Sequence, residues 1–233
     1  MRLVLIASLV LLLAGCTSES SPTWKPSADS QKTKSKTQGG AEKAQPKDTN
    51  APKPQVLKPA ASTGLLDFEL TERSGRTITR KDLLGKPAVV CFIFTQCAGP
   101  CNSVSVQMRN LQEWTKSKKI DVRLVSVSVD PKRDTPKVLR EYAKNFGADK
   151  DRWWFLTGKK DQIHRVVSSS LGQRIAERPG AQYGFELDHS LAGVLLDANG
   201  KIVGEYVIRD PVALAQLKQR LSKWKQDGTF NKP

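Results

Sequence analysis

Cys97 and Cys101 stand four residues apart, directly after the apolar run 88–94, and the chain holds two histidines, His164 and His189. A thiolate is a soft metal ligand and also the form of cysteine that attacks a disulfide. Such a pair can therefore hold a soft metal, or it can cycle between dithiol and disulfide. His164 falls within a helical pattern and reads as an ordinary surface or satisfied helix histidine. His189, followed by Ser190, lies far downstream and is the imidazole available to join the pair. Cys91 sits inside the apolar run and reads as a small buried hydrophobe.

If a helix begins near Pro100, the two thiols lie about one turn apart on one face. The helix N-terminus favours thiolate, which serves both chemistries. The spacing also permits a disulfide.

The elements that position these groups can be read from periodicity. Residues 64–71 read as an extended entry strand, followed by a turn at 73–76 and a helical turn ended by Gly85 and Pro87. The unbroken apolar run 88–94 predicts a strand buried on both faces. Residues 102–116 carry apolar side chains at helical spacing, and 122–129 alternate as a strand. Thr135 and Pro136 predict the N-cap and first position of a helix closed by Gly147. A short strand at 154–157 and a helix at 161–171 follow. Residues 189–196 and 201–207 read as strands joined by Asn199-Gly200, and 212–225 as a closing helix. Strand and helix alternate, then a hairpin and a helix end the chain. That order predicts an α/β domain with a mixed central sheet flanked by helices, the layout of the thioredoxin-like fold.

The chain is 233 residues long and carries a formal charge of +15. Residues 1–15 contain one charge and a short leucine-rich run, too short to span a bilayer, and read as a signal peptide. The run ends Leu13-Ala14-Gly15-Cys16, which resembles a bacterial lipobox with Cys16 as the lipidated residue. Residues 16–61 are polar and nearly free of large apolar side chains, so they predict a disordered, lipid-anchored linker. The expected location is outside the cytoplasm, anchored to a membrane and facing the periplasm or the outer side of the cytoplasmic membrane. Residues 62–233 are long enough for one packed domain. From residue 61 onward 29 Lys and Arg face 19 Asp and Glu, so the domain itself is basic. In an exported protein that balance reads as a solvated surface, or as a face for an acidic protein or anionic lipid, and not as a nucleic-acid site. A purely structural bridge fits the cysteine pair poorly, because so short a loop yields little entropic stabilisation.

Three observations favour metal. The cysteine spacing has three intervening residues, whereas thioredoxin-like redox enzymes use Cys-x-x-Cys. Those enzymes carry a cis-proline before the hairpin, where this chain has Asp188-His189-Ser190. Two thiolates and an imidazole suit copper, Cu(I) through the sulfurs and Cu(II) with the nitrogen. Zinc could accept the same groups with a water.

These residues carry a family resemblance. The segment Phe92-Ile93-Phe94-Thr95-Gln96-Cys97-Ala98-Gly99-Pro100-Cys101 resembles the Sco/SenC copper proteins, thioredoxin-like assembly factors of cytochrome c oxidase. So do Val125 to Pro136, with Asp130-Pro131-Lys132-Arg133-Asp134-Thr135-Pro136 the most specific piece, Trp154 to Gly158, and Asp188-His189-Ser190. The resemblance covers about residues 64–225. It implies copper at Cys97, Cys101 and His189. It also implies delivery of that copper to subunit II of the oxidase, or prior reduction of that subunit's cysteines. Many members have proline after each cysteine, at the positions of Ala98 and Asn102 here. Asp130 and Asp134 fall in the matching acidic block; they read as turn and cap residues, and as candidates for partner docking or for supporting the metal ligands. The leading expectation is thus a tethered copper chaperone, not a turnover enzyme. The alternative is a thiol-disulfide reductase acting through Cys97 and Cys101, with a peroxidase-like thiol enzyme as a third reading.

Overall fold

The computed structural model describes residues 64–99, 101–184 and 186–230. The signal segment 1–15, Cys16 and the linker 16–61 lie outside the described residues, as does Pro100. Every described element falls within one compact unit, Pro54–Pro233. Among the described residues no helix is long and apolar enough to cross a membrane.

The elements run β1 (Glu69–Glu72), β2 (Thr77–Thr79), β3 (Ala88–Ile93), α1 (Cys101–Ser117), β4 (Arg123–Ser128), α2 (Pro136–Asn145), β5 (Trp153–Thr157) and α3 (Lys160–His164). Then come β6 (Ile175–Glu177), β7 (Leu187–His189), β8 (Ala192–Leu196), β9 (Ile202–Val207) and α4 (Pro211–Asp227). Seven strands form one sheet in the order β2-β1-β5-β4-β3-β8-β9. β3, β4 and β5 are parallel, and their outer neighbours run antiparallel. The sheet is mixed, helices cover it, and the fold is thioredoxin-like, as the element order predicts.

The unbroken apolar runs follow from burial on both sides. In β3, Ala88, Val90 and Phe92 enter one core while Val89, Cys91 and Ile93 enter the other. Trp154 and Leu156 of β5 face the first core, and Trp153 and Phe155 the second. Period-2 alternation sends successive side chains to opposite faces, so only a strand apolar at every position fills both. Val104, Met108 and Leu111 of α1, Leu139 of α2 and Leu217 and Leu221 of α4 close the second core. Ile163 of α3 and Val166 and Val167 just beyond it close the first. Since both cores lie within Pro54–Pro233, this unit holds what it needs to fold by itself.

Thr135 caps α2 as predicted, its side chain accepting from the Val138 N–H at 3.4 Å, with Pro136 in the first turn. Asp210 caps α4 in the same way and Gly228 ends it in a left-handed conformation. Three features depart from the sequence reading. Residues 161–171 are not one α-helix: α3 gives way to a π-helical turn at Arg165–Ser170. The Ser170 hydroxyl donates to the Arg165 carbonyl at 2.9 Å inside that turn. The extended segment from residue 64 forms a strand only at Glu69–Glu72, with an isolated bridge from Gly64 to Lys201, and β2 pairs with it across the turn. The predicted strand 189–196 is split. Its first residue belongs to β7, which pairs with β6 in a separate two-stranded ribbon, and only Ala192–Leu196 joins the main sheet.

Phe92, fully buried at the centre of the first core, should cost about 3–5 kcal/mol of stability as Phe92→Ala. The exposed Val212→Ala should stay within about 0.5 kcal/mol. Urea unfolding of residues 54–233 measures both.

Candidate metal centre

β3 ends at Ile93, and the chain then turns through Thr95 and Gln96 to Cys97 before α1 starts at Cys101. Cys101, in the first turn of α1, is completely buried, while Cys97 is half-buried at the edge of the first core. Both are free thiols. Asp134 holds this loop from behind. Its carboxylate accepts from the Thr95 N–H at 3.1 Å, the Thr95 hydroxyl at 2.6 Å and the Ser128 hydroxyl at 2.5 Å. The loop is thereby tied to the end of β4. Asp134 is itself inaccessible, which is the geometry of a support for the cysteine loop and not of a docking residue. Burial pushes its carboxyl above the ordinary carboxylate range, against the pull of the hydrogen bonds from Ser128 and Thr95.

The ribbon of β6 and β7 brings the histidine. Ile175 pairs with His189, and Leu187 and Ile175 pack on the first core. His189 Nε2 lies 3.2 Å from Cys101 Sγ, across 88 residues of sequence. Nδ1 lies 2.9 Å from the Ser190 carbonyl oxygen. A carbonyl only accepts, so Nδ1 carries the proton and Nε2 presents its lone pair to Cys101. Phe94 meets the ring edge-on, with centroids 5.7 Å apart. Burial lowers the His189 pKa, so the imidazole is neutral at neutral pH, the state a ligand needs.

Polar ties seat the loop joining β6 to β7 against the cysteine loop. The Ala98 N–H donates to the Gly184 carbonyl at 3.2 Å, and the Tyr183 hydroxyl donates to Gln96 at 2.6 Å. Gly184 adopts φ +85°, and a Cβ there would stand 2.7 Å from the Ala98 Cβ and 2.8 Å from the Gln96 carbonyl. Arg133 bridges the outer side. It bonds Asp130 and, at 3.0 Å, Glu186, whose other oxygen accepts from the Gly184 N–H at 2.7 Å. Asp130 thus acts through Arg133, as one end of a clamp on the histidine-bearing loop. Gly184 and Glu186 were not singled out by the sequence, and Arg133 stood in the Asp130–Pro136 block with no role of its own. The aromatic and glycine of Tyr183-Gly184 were the available signal.

The two thiols divide one proton unequally. The Cys97 pKa is lowered to about 6, first by the Cys101 thiol, whose one proton is shared between Cys97 Sγ and the neighbouring His189 Nε2, and then by the backbone N–H groups of Cys101 and Gly99, against partial burial. The Cys101 pKa is driven up by the same shared bond and by burial. Sequence reasoning assigned thiolate character to the pair through the helix N-terminus; the structure concentrates it on the outer sulfur. Cys91 is a buried hydrophobe as expected, its thiol pushed up to about 12 by burial. Among the described residues no group of three or more His, Cys, Asp or Glu side chains is already arranged to hold a metal ion. The contacts run in a line, from Cys97 through Cys101 to His189. Two sulfurs and a neutral imidazole nitrogen are nevertheless a donor set for a soft or borderline metal. His164 lies at the end of α3, outside this line.

A mixed sheet that delivers a cysteine pair and a neutral histidine to one end defines a thioredoxin-like domain with a thiol–imidazole site. The SCO1/SenC family profile matches residues 58–224, and the chain belongs to that family. It is 30% identical over 153 residues to the SCO1 protein homolog of Bacillus subtilis, covering 65% of this chain and 78% of that relative. It superposes on BsSco, described as a member of the Sco family of cytochrome c oxidase assembly proteins with a disulfide switch. That match has TM-score 0.59, 27% identity and coverage of 69% of this chain and 92% of the other. It also superposes on Bradyrhizobium japonicum ScoI solved with copper bound, with TM-score 0.56, 26% identity and coverage of 68% and 99%.

The divided proton predicts a reactivity profile. A lowered pKa means that Cys97 is thiolate above about pH 6 and loses reactivity as pH falls through that value. Iodoacetamide labelling followed by peptide mass spectrometry should give a midpoint near 6 for Cys97. Cys101 and Cys91 should stay unlabelled up to pH 8.

Proposed function

We propose that this chain is a membrane-tethered copper chaperone for assembly of the cytochrome c oxidase copper centre, taking copper as cargo through Cys97, Cys101 and His189. The single observation that carries the reading is the 3.2 Å approach of His189 Nε2 to Cys101 Sγ. Its lone pair faces the thiol because Nδ1 is committed to Ser190. The copper-bound relative and the oxidase-assembly relative support the cargo and the partner.

The residues divide the work of loading. Cys97, already thiolate, is the first sulfur a Cu(I) ion meets, because it is the half-exposed member of the pair. Capture by both sulfurs releases the Cys101 proton, and Nε2 stands next to it as acceptor. Once that proton has gone to solvent, Nε2 is free as the third donor. Oxidase subunit II is the acceptor that this reading names.

The same geometry supports the reductase reading. The Cys97 thiolate attacks a target disulfide to form a mixed disulfide. Cys101 then gives its proton to Nε2 and attacks Cys97 Sγ, leaving Cys97–Cys101 oxidised and the target reduced by two electrons. Cys97's lowered pKa favours this step.

Reduced residues 54–233 should bind one Cu(I) tightly, and Cys97→Ser or Cys101→Ser should abolish this. An intense Cu(II)–thiolate absorption should disappear in His189→Ala. Normal copper binding by both serine variants would sink the copper reading. Weak binding by the wild type, with a Cys97–Cys101 disulfide cycling readily against a thiol buffer, would leave the reductase.

The tether is tested separately. In a bacterial host with a lipoprotein-processing pathway, the full chain should incorporate labelled palmitate and partition with membranes. Cys16→Ser should lose the label. Unchanged labelling in that variant would reject Cys16 as the anchor.

A further inference from the structure

The end of the sheet opposite the thiols is built from cations. Arg123 opens β4 beside Ala88, at the start of β3, whereas the cysteine loop follows the other end of β3. Six residues of strand separate them, about 20 Å at 3.3 Å each. Here Trp154 carries two guanidinium groups on one indole, Arg123 at 3.7 Å and Arg76 at 4.7 Å from the ring centroid. With Arg73, Lys86 and Lys150 they line a cleft of about 520 Å³.

Two of these cations are already committed. Arg73 donates to the carbonyls of Trp153 at 3.0 Å and Ala148 at 3.3 Å. Lys86 pairs with Asp121 at 2.7 Å. Two of the carboxylates nearby are committed as well. Glu72 is buried beside Arg73 and accepts from the Ser74 N–H at 2.7 Å. Asp82 accepts from the N–H and hydroxyl of Thr79, each at 2.8 Å. Asp151 meets Arg123 through its backbone carbonyl, which takes the Nη1 donor, and its exposed carboxylate is the one acid of the cleft lining that pairs with no cation among the described residues. Arg76 and Lys150 make no ion pair among the described residues. Arg123 Nε is buried without a hydrogen-bond partner. Two like charges stacked on one ring and an unpaired lysine beside them are matched by one anion with several oxygens. The guanidinium fork matches phosphate best.

The occupant follows from where the chain enters. Gly64 bridges to Lys201, the Leu65 N–H donates to the Gly200 carbonyl at 3.0 Å, and the Gly85 N–H to the Ala198 carbonyl at 2.8 Å. Lys86 follows directly, so residue 64 is reached at the cleft end of the domain. We propose that the Arg76–Arg123–Lys150 cleft is a phosphate site that docks this end of the domain on anionic lipid headgroups, with the thiol end turned away from the membrane. The choice of lipid rests on the tether reading above, since an anchored chain holds headgroups at high effective concentration.

The test uses residues 54–233, free of Cys16, so that no acyl chain contributes and palmitate labelling remains an independent readout of the tether. Cosedimentation is measured with vesicles of phosphatidylcholine alone and of equal parts phosphatidylcholine and phosphatidylglycerol. Binding to the anionic vesicles should be at least tenfold stronger and should weaken with salt. Arg76→Gln with Lys150→Gln, both exposed positions, should lose at least tenfold. Lys132→Gln with Lys137→Gln removes the same charge at the thiol end and should change binding less than twofold. Arg123→Gln is checked by circular dichroism, because it also unseats Trp154. Equal loss in the two double variants, or no preference for anionic vesicles, would overturn the proposal. A shift of the Trp154 indole signal with inorganic phosphate but no vesicle binding would also overturn it, reassigning the cleft to a soluble phosphate.

Discussion

The approach of His189 to Cys101 is the contact on which the site depends. Nothing local creates it, since the partners are 88 residues apart, Cys101 in the first turn of α1 and His189 on the two-stranded ribbon. It exists because the two-stranded ribbon is held against the cysteine loop from several directions. The Gly184 carbonyl takes the Ala98 N–H, Arg133 spans Asp130 and Glu186, and Phe94 sets the imidazole edge-on. The cysteine loop is fixed in turn by Asp134, whose oxygens join Thr95 to Ser128. A thiol–imidazole contact made on two separately anchored loops can open without breaking the core. The proposed capture and release of copper would draw on that property.

Much of this framework was legible in the sequence because the sheet interior is apolar at every position. An unbroken run such as 88–94 has one economical solution, a strand buried on both faces, and the parallel strands followed from it. Thr135-Pro136 and Asn199-Gly200 marked a cap and a turn because those residues have specific backbone demands. The ribbon of β6 and β7 was not legible. Its strands are three residues each, and half-exposed Ile175, Leu187 and Asp188 give no clean alternation. Residues 189–196 looked continuous, but Ser190 turns back to bond Arg174 at 3.2 Å, and the chain changes sheets there. The π-helical turn at 165–170 was equally hidden, since it keeps the buried Val166 and Val167 of an ordinary helix.

In the site, residue types were visible and their division of labour was not. The sequence named Cys97, Cys101 and His189, and the structure joins them in that order. Which sulfur carries the charge depends on burial and on who donates to whom, quantities that exist only after folding. Asp134 illustrates the same limit. As a letter in an acidic block it read, with Asp130, as a turn or cap residue or a candidate for docking or for supporting the metal ligands, and nothing chose among these. In the fold it is wholly buried beneath the cysteine loop, while Asp130 reaches the histidine loop only through Arg133.

Both chemistries of the site draw on one arrangement of protons. A single thiolate at Cys97 is the nucleophile of a reductase and the first ligand of a chaperone. The neighbouring neutral imidazole serves either as acceptor of the Cys101 proton or as third ligand. The distinction between the two functions therefore lies in the fate of the Cys101 sulfur, bound to copper or bound to Cys97. Copper bound to both sulfurs blocks the disulfide, and the disulfide removes both thiolates from copper. In the proposed reading each state excludes the other, so the oxidation state of the pair would set whether the domain can take up copper.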